Sequence, residues 1–440
     1  MPADHDPYAA LRHRDYRHLL AGSVLASIGS EAQAVAVGWE LYQRTGSPSA
    51  LGLVGLVQFL PVLLLSLPAG QAADRYSRKG LMMAAQGTAM LASLGLAALS
   101  LLEGPIPLIY VCLLVAGCAR AFSAPARWSL VPLVVPESLL ANAVTWNSSG
   151  WQIAAVTGPA LGGLLIALAG RAAEAYLLAA ACALTCAGLV ATIRPRPAER
   201  TSEAPSLASL LAGVRFVLRT ELILATITLD LFAVLLGGAT ALLPIFAKDV
   251  LEVGPVGLGW LRAAPALGAL AMAITMAHRP PLARAGRALL LAVAGFGAMM
   301  VVFGLSRNFL LSFVALAVAG ALDNISVVVR GTLVQVLTPD AMRGRVSAVN
   351  AVFVSSSNEL GGFESGMTAD WFGAVASVVG GGVGTILVVL AVMHRWPSVL
   401  RLGRLQPGEG GILAVEEGAS AVAGVAPADH GPAMVRQREP

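Results

Sequence analysis

The chain has 440 residues, of which 57% are hydrophobic and only 12% charged, and its mean hydropathy is +0.75. A water-soluble chain carries about a quarter charged residues, so a soluble globule is excluded. The formal charge of +4 does not point to nucleic acid, because in a membrane chain positive residues collect in cytoplasmic loops.

The first residues, MPADHDPYAALRHRDYRHLL, are polar and mixed in charge. No small-residue cleavage site closes the apolar stretch that follows, so it reads as a retained span and not a signal peptide. Apolar segments then recur near 19–41, 50–70, 81–102, 106–127, 142–169, 174–193, 221–246, 255–277, 288–305, 309–329, 346–369 and 373–393. A bilayer core of about 30 Å needs roughly 20 residues at 1.5 Å each. The expectation is an all-α membrane protein with twelve transmembrane helices in two six-helix halves. Residues 1–193 form the first half, 194–219 a cytoplasmic linker, 220–395 the second half, and 396–440 a disordered cytoplasmic tail lacking any helical apolar period.

Positive residues fix the orientation. With the N-terminus inside, one set of loops holds Arg12, Arg14, Arg17, Arg75, Arg78, Lys79, Arg194, Arg196, Arg200, Arg215, Arg219, Arg279, Arg284, Arg287, Arg343 and Arg345. The other set holds Arg44, Arg171, Lys248 and Arg307. Both termini are therefore expected in the cytoplasm. The cysteines Cys112, Cys118, Cys182 and Cys186 all fall inside apolar runs and read as small buried hydrophobes.

The halves carry an internal repeat. LVPLVVPESLLANAVTWNSSGWQIAAVTGPALGG and LVQVLTPDAMRGRVSAVNAVFVSSSNELGGFESG align without gaps, pairing Pro136 with Pro339, Asn147 with Asn350, Gly158 with Gly361 and Gly163 with Gly366. The same constant offset pairs Arg127 with Arg330 and Arg120 with Asp323. Parallel repeats with a site at their interface are one transporter architecture.

Ionisable groups at bilayer depth are costly and mark substrate or ion pathways. Here they are Glu31 in span 1, Arg120 in span 4, Asp230 in span 7, Arg262 in span 8, Asp323 in span 10, and Glu359 and Glu364 in span 11. Spans 1, 4, 7 and 10 open four successive three-helix units, and each holds one charge near mid-depth. These four helices are expected to line a polar cavity while spans 3, 6, 9 and 12 face lipid. Glu31 and Asp230 are the leading candidates for protonation, with Arg120 and Asp323 shaping the site. The bland readings are a structural ion pair between Arg120 and Asp323 and simple snorkelling of Arg262. Glu359 and Glu364, five apart, do not share a helix face, so at most one points into the cavity. Gln33, Trp39, Asn147, Trp151, Gln152, Asn324, Asn350 and Asn358 travel with these charges. They either join the helices together or describe a pocket for a polar, partly aromatic solute.

The stretch GQAADRYSRKG, between spans 2 and 3, resembles the Gly-x-x-x-Asp-Arg-x-Gly-Arg-Arg/Lys loop of the major facilitator superfamily. Gly70, Asp74, Arg75, Arg78 and Lys79 fit, and Ser77 stands where the family has glycine. The resemblance implies a cytoplasmic gate in which the aspartate docks on a helix N-terminus of the other half, where the dipole favours it. In span 5, Gly158, Pro159, Gly162 and Gly163 resemble the Gly-Pro-x-x-Gly-Gly core of drug–proton antiporters, with Ala154 where a further glycine is usual. Proline removes a helix hydrogen bond and glycines permit close helix approach, so this core makes a bend and a seam.

The stretch from Gly29 to Arg75, LLPIFAKDVL in span 7 and the last two spans extend the resemblance to the enterobactin-exporter branch, to which macrolide efflux pumps are also similar. It covers residues 8 to 395 and implies the major facilitator fold and a plasma-membrane location. No Gly-x-x-x-x-Gly-Lys-Ser/Thr loop occurs, so ATP hydrolysis is not the expected drive. The histidines lie in loops or at the ends, which leaves no intramembrane metal site. The expectation is a non-enzymatic, cofactor-free and monomeric secondary transporter. It would export a siderophore or hydrophobic drug-like solute by proton-coupled antiport and alternating access. An importer or uniporter of the same fold, a lysophospholipid flippase and a non-transporting receptor or scaffold are the alternatives.

Overall fold

In the computed structural model, residues 6–196, 207–280 and 282–403 are described. Fourteen α-helices follow one another, and no strand occurs among the described residues. The first six are α1 (Arg14–Thr45), α2 (Pro48–Arg75), α3 (Arg78–Leu101), α4 (Ile106–Val134), α5 (Leu140–Ala169) and α6 (Ala173–Ala191). A short amphipathic α7 (Leu207–Arg219) lies in the linker. The span Glu221–Val250 comprises α8 (Glu221–Leu236), a 3-10 turn, the single turn α9 (Leu243–Ile245) and the π-helical turn Phe246–Val250. Then come α10 (Gly254–Ala277), α11 (Ala285–Leu305), α12 (Phe309–Leu337), α13 (Asp340–Phe372) and α14 (Ala374–Arg395).

The breaks between helices have local causes. Gly46, at φ 62°, ends α1. Ser47 then caps α2, its hydroxyl accepting from the Ala50 N–H at 3.4 Å, with Pro48 at the first helical position, where its missing N–H costs nothing. Ser77, at the position where the gate motif has glycine, caps α3 by accepting from the Gly80 N–H at 3.3 Å.

Eleven described helical segments are long and apolar enough to cross a membrane. The expected eleventh span, α13, has 33 residues, ample length, but is not among them. Its run of Asn350, Ser355, Ser356, Ser357, Asn358, Glu359 and Glu364 lowers its hydropathy, and the helix packs on α2, α8 and α14. The linker is not wholly irregular: α7 packs on α13, and Gly213 lies against the Arg345 backbone. Residues 197–206, including Arg200, and 404–440 of the expected tail lie outside the described residues. The described start of that tail, Pro397–Arg401, is a 3-10 turn whose Val399 is buried against α11. The folded part therefore runs past residue 395, with the Val399 carbonyl and the Leu402 Cβ lying against Gly286.

Within the first six helices, α1 packs on α5 and α6, and α3 and α2 pack on α4. Among the later ones, α10 packs on α12, and α11 on α12 and α14. Two seams join the groups, α2 with α13 and α5 with α10. Both are closed by glycine pairs: a Cβ on Gly366 would sit 2.6 Å from the Gly52 Cα, and one on Gly163 would sit 3.2 Å from the Gly259 Cα. Gly163 and Gly366 are repeat partners, so the two seams are versions of one contact. Close backbone approach without a side chain is how membrane helices gain packing energy.

Candidate functional site: the cavity between the halves

A cavity of about 770 Å³ lies between the two groups of helices. Its wall includes Glu31 and Gln33 of α1, Arg120 of α4, Trp151 of α5, Arg262 of α10, Asp323 of α12, and Asn358 and Glu359 of α13. The helix α3 also contributes Ala85, Gln86, Ala89 and Ser93, and α6 contributes Ala179 and Ala183. Spans 3 and 6 were expected to face only lipid. They reach the wall because α1 and α4 touch only briefly, so that these largely buried side chains line the gap between them.

Two ion pairs cross between the halves on this wall. Arg120 donates from Nη2 to Glu359 Oε1 at 2.8 Å, joining α4 to α13. Arg262 Nε lies 3.8 Å from Glu31 Oε2, joining α10 to α1. Each pair stands beside one seam, and each half supplies one cation and one carboxylate. The carboxylate partner of Arg120 is thus Glu359 and not Asp323. Asp323 lies on the same wall with no ion-pair partner among the described residues. The other charges expected at depth lie elsewhere. Asp230 pairs with Arg330 of α12, side chains 7% and 6% exposed, and neither lines the cavity. Glu364 is off the wall, with the Ser365 hydroxyl at 3.5 Å.

The amides divide similarly. Gln33 accepts from the Ser93 hydroxyl at 2.6 Å, which holds α1 to α3. The Asn358 amide donates to the Val354 carbonyl of its own helix at 2.8 Å. Asn147 and Gln152 line an adjoining pocket. Trp39 packs on the core, and Asn324 and Asn350 carry buried amide oxygens without partners among the described residues.

The bundle has a terminal face, where α1 begins and α14 ends, and a distal face. Contacts across the halves close the distal end. Tyr42 of α1 donates a hydrogen bond to Asp249, Lys248 stands 5.3 Å over the Tyr42 ring, and a Cβ on Gly38 would meet the Pro244 ring at 3.0 Å. Glu40, which charge-at-depth reasoning missed, sits nearby, bound to Arg44 at 3.2 Å and to the Tyr176 hydroxyl at 2.9 Å. Toward the terminal face the cavity wall continues to Ser23, Met82 and Arg127.

The loop motif is read in part. Arg78 donates to the Ser129 carbonyl at 3.0 Å, and Lys79 donates to the carbonyls of Ala191 and Ile193 at 2.6 and 2.8 Å. Cations at the C-terminal ends of α4 and α6 are favoured by the helix dipole. Arg75 is exposed, Gly70 lies within α2, and the Asp74 side chain lies outside the described residues. In α5, Gly158 faces Glu31, where a Cβ would come 2.6 Å from the Glu31 Cβ. Gly162 faces Ala32, and Gly163, with the backbone at Pro159, faces α10. This Gly-Pro core therefore fits α5 against α1 and against the other half at once.

The profile of the transmembrane secretion effector family matches residues 5–401. The chain belongs to that family, a branch of the major facilitator superfamily. It is 28% identical over 396 residues to the enterobactin exporter EntS of Shigella boydii serotype 18, covering 90% of this chain and 95% of the relative. The figures are the same for EntS of Escherichia coli O139:H28. Among solved structures, a bacterial homolog of the human lysosomal transporter Spinster, inward-facing and occupied, matches with TM-score 0.72 at 15% identity. The match covers 92% of this chain and all of that one. A D-xylose–proton symporter matches with TM-score 0.66 at 14% identity, covering 86% and 96%. At those identities the structures speak for the fold alone. The protein is a multi-pass inner-membrane secondary transporter for a small molecule, and not an enzyme.

Proposed function

We propose that this protein exports a small organic solute from the cytoplasm in exchange for protons, by alternating access of the cavity. The observation that carries the reading is the pair of ion pairs, Arg120–Glu359 and Arg262–Glu31, spanning the halves on the cavity wall. The positive-inside distribution assigns the terminal face to the cytoplasm, so the cavity described is the inward-open one and the Tyr42–Asp249 contact is its periplasmic seal. Glu31 is the proton site. It lies on the wall at the Gly158 crossing, and its pairing with Arg262 is long enough to be exchanged for a proton. Protonation removes its attraction for Arg262, and the pairing that holds α1 to α10 is released. Asp230 acts as a structural partner of Arg330. Outward direction is favoured by the similarity to the enterobactin exporters and by the Gly158-Pro159 core. A siderophore is the first solute to test, and the protein acts as a monomer in the bilayer.

The test uses everted membrane vesicles, acid inside, offered a catecholate siderophore, a macrolide and a lysophospholipid. Proton-dependent uptake of one of them, lost in Glu31→Gln, is the expected result. Uptake that survives Glu31→Gln with unchanged pH dependence sinks the assignment of the proton site. Solute movement only into right-side-out vesicles would make the protein an importer.

A further inference from the structure

Each half begins with a short helical segment laid against its own fifth span, and the repeat relates the two. The same constant offset pairs Ala10 with Gly213, Asn142 with Arg345 and Trp146 with Val349. In the first half the Ala10 N–H donates to Asn142 Oδ1 at 3.1 Å, and the Pro7 carbonyl accepts from Asn142 and Trp146 at 2.8 and 3.0 Å. In the second half a Cβ on Gly213 would meet the Arg345 carbonyl at 3.0 Å and Val349 Cγ2 at 3.1 Å. The 3-10 turn Ala10–Arg12 and α7 are thus two versions of one arrangement, seated on α5 and α13.

The two differ in what their outer surface carries. In the first, Tyr8 packs on Trp146 with ring centroids 5.7 Å apart, and Arg12 pairs with Asp6 at 2.8 Å. The protein itself supplies those partners. In α7, Val217 is buried in one cluster with Val346 and Val349 of α13. The opposite face holds Leu211, Arg215, Leu218 and Arg219, at the spacings of three and four that put side chains on one side of a helix. Leu211 is 60% and Leu218 58% exposed. Both arginines are exposed, and neither pairs with a carboxylate among the described residues. The acid nearest in the chain, Glu221, accepts instead from the Ser398 hydroxyl at 2.9 Å. Thr220 is extended, at φ −94° and ψ 97°, so α7 turns away from α8 at the very end of the span.

We propose that the outer face of α7 docks on anionic phospholipid headgroups of the cytoplasmic leaflet. A helix at the end of a span, with bare leucines between arginines, has the composition of one lying in the membrane interface. Leu211 and Leu218 enter the acyl boundary, and the guanidinium forks of Arg215 and Arg219 take phosphate oxygens. The cytoplasmic leaflet carries negative charge, and each arginine close to it raises the affinity by about fivefold. Charge complementarity thus selects lipid as the occupant of this face. Because α7 is packed on α13, the bound lipid also holds the cytoplasmic end of the helix that carries Glu359. The inference goes beyond the transport reading and needs only the cytoplasmic placement of the terminal face.

The test places a bimane fluorophore at Leu218→Cys in the purified full-length protein in detergent. The otherwise unsubstituted chain is labelled in parallel to subtract the four free cysteines. The protein is titrated with phosphatidylglycerol or phosphatidylcholine, each with brominated acyl chains that quench the probe on contact. Phosphatidylglycerol is expected to quench at the lower concentration. Arg215→Gln and Arg219→Gln should each raise its midpoint by about fivefold and leave the phosphatidylcholine curve where it was. Arg12→Gln, on the other segment, should change neither. Equal quenching by the two lipids, or quenching by neither, overturns the proposal. So does an equal shift in Arg12→Gln, which would make the effect one of net charge. A probe kept from both lipids until residues 404–440 are removed would make the chain's own tail the occupant, and would also overturn it. No solute or gradient enters the experiment, so its failure leaves the export reading as it stands.

Discussion

Asp230→Asn should be a folding mutation and not a transport mutation. Asp230 and Arg330 are buried together, with side chains 7% and 6% exposed, away from the cavity wall. Neutralising the carboxylate leaves the guanidinium uncompensated in a site that water does not reach. Breaking one side of such a pair costs about 3–5 kcal/mol. With a conversion of about 2–4 °C per kcal/mol for large domains, the apparent melting temperature in detergent should fall by about 6 °C or more. Replacing both partners by apolar groups, Asp230→Leu with Arg330→Met, removes both desolvation penalties and should recover most of that loss. The assay is thermal unfolding followed by tryptophan fluorescence, with vesicle uptake measured on the same preparations. Normal melting of Asp230→Asn together with abolished proton-coupled uptake would refute the reasoning and return Asp230 to the role of proton carrier.

Gly366→Leu forces a side chain into a gap where a Cβ alone comes 2.6 Å from the Gly52 Cα. Overpacking of this kind costs about 1–3 kcal/mol, so uptake should drop sharply and a cysteine at Arg44 should label faster from the periplasmic side. Arg120→Gln and Glu359→Gln should be non-additive. The double variant should transport no worse than either single one, because residues in contact share one interaction; additive losses would show that the 2.8 Å pair does not act as a unit. Ser77→Ala should lower stability by about 1 kcal/mol and Ser77→Gly by only a few tenths, as expected for an N-cap, with thermal unfolding as the readout.

The sequence made legible what depends on position along a helix. Runs of apolar residues located the spans, and charge at mid-run located Glu31, Arg120, Asp323 and Glu359, all of which line the cavity. It could not reveal the direction in which a side chain points around its helix, because that is set by packing against helices distant in the chain. Hence Asp230 shares with Glu31 a place at mid-span but faces Arg330 and not the cavity, and Arg120 pairs with Glu359 on α13 and not with its repeat mate Asp323. Hydropathy also undercounted α13, whose Asn358 and Glu359 line the cavity and whose Ser357 and Ser365 are buried. The Gly52–Gly366 and Gly163–Gly259 seams were half legible: the repeat paired Gly163 with Gly366, but nothing local named the glycine each would meet. Glu40 escaped notice because it lies near the distal end of α1, where a charge looks solvated, although Tyr176 and Arg44 bury it.

The central claim is that solute and proton move through this protein in opposite directions. The most direct measurement is the fluorescence of a pH-sensitive acridine dye in everted vesicles, energised acid inside and then given the transported solute. Entry of solute in exchange for protons predicts immediate dye recovery in wild type and none in Glu31→Gln. Solute uptake with no change in dye signal would contradict it.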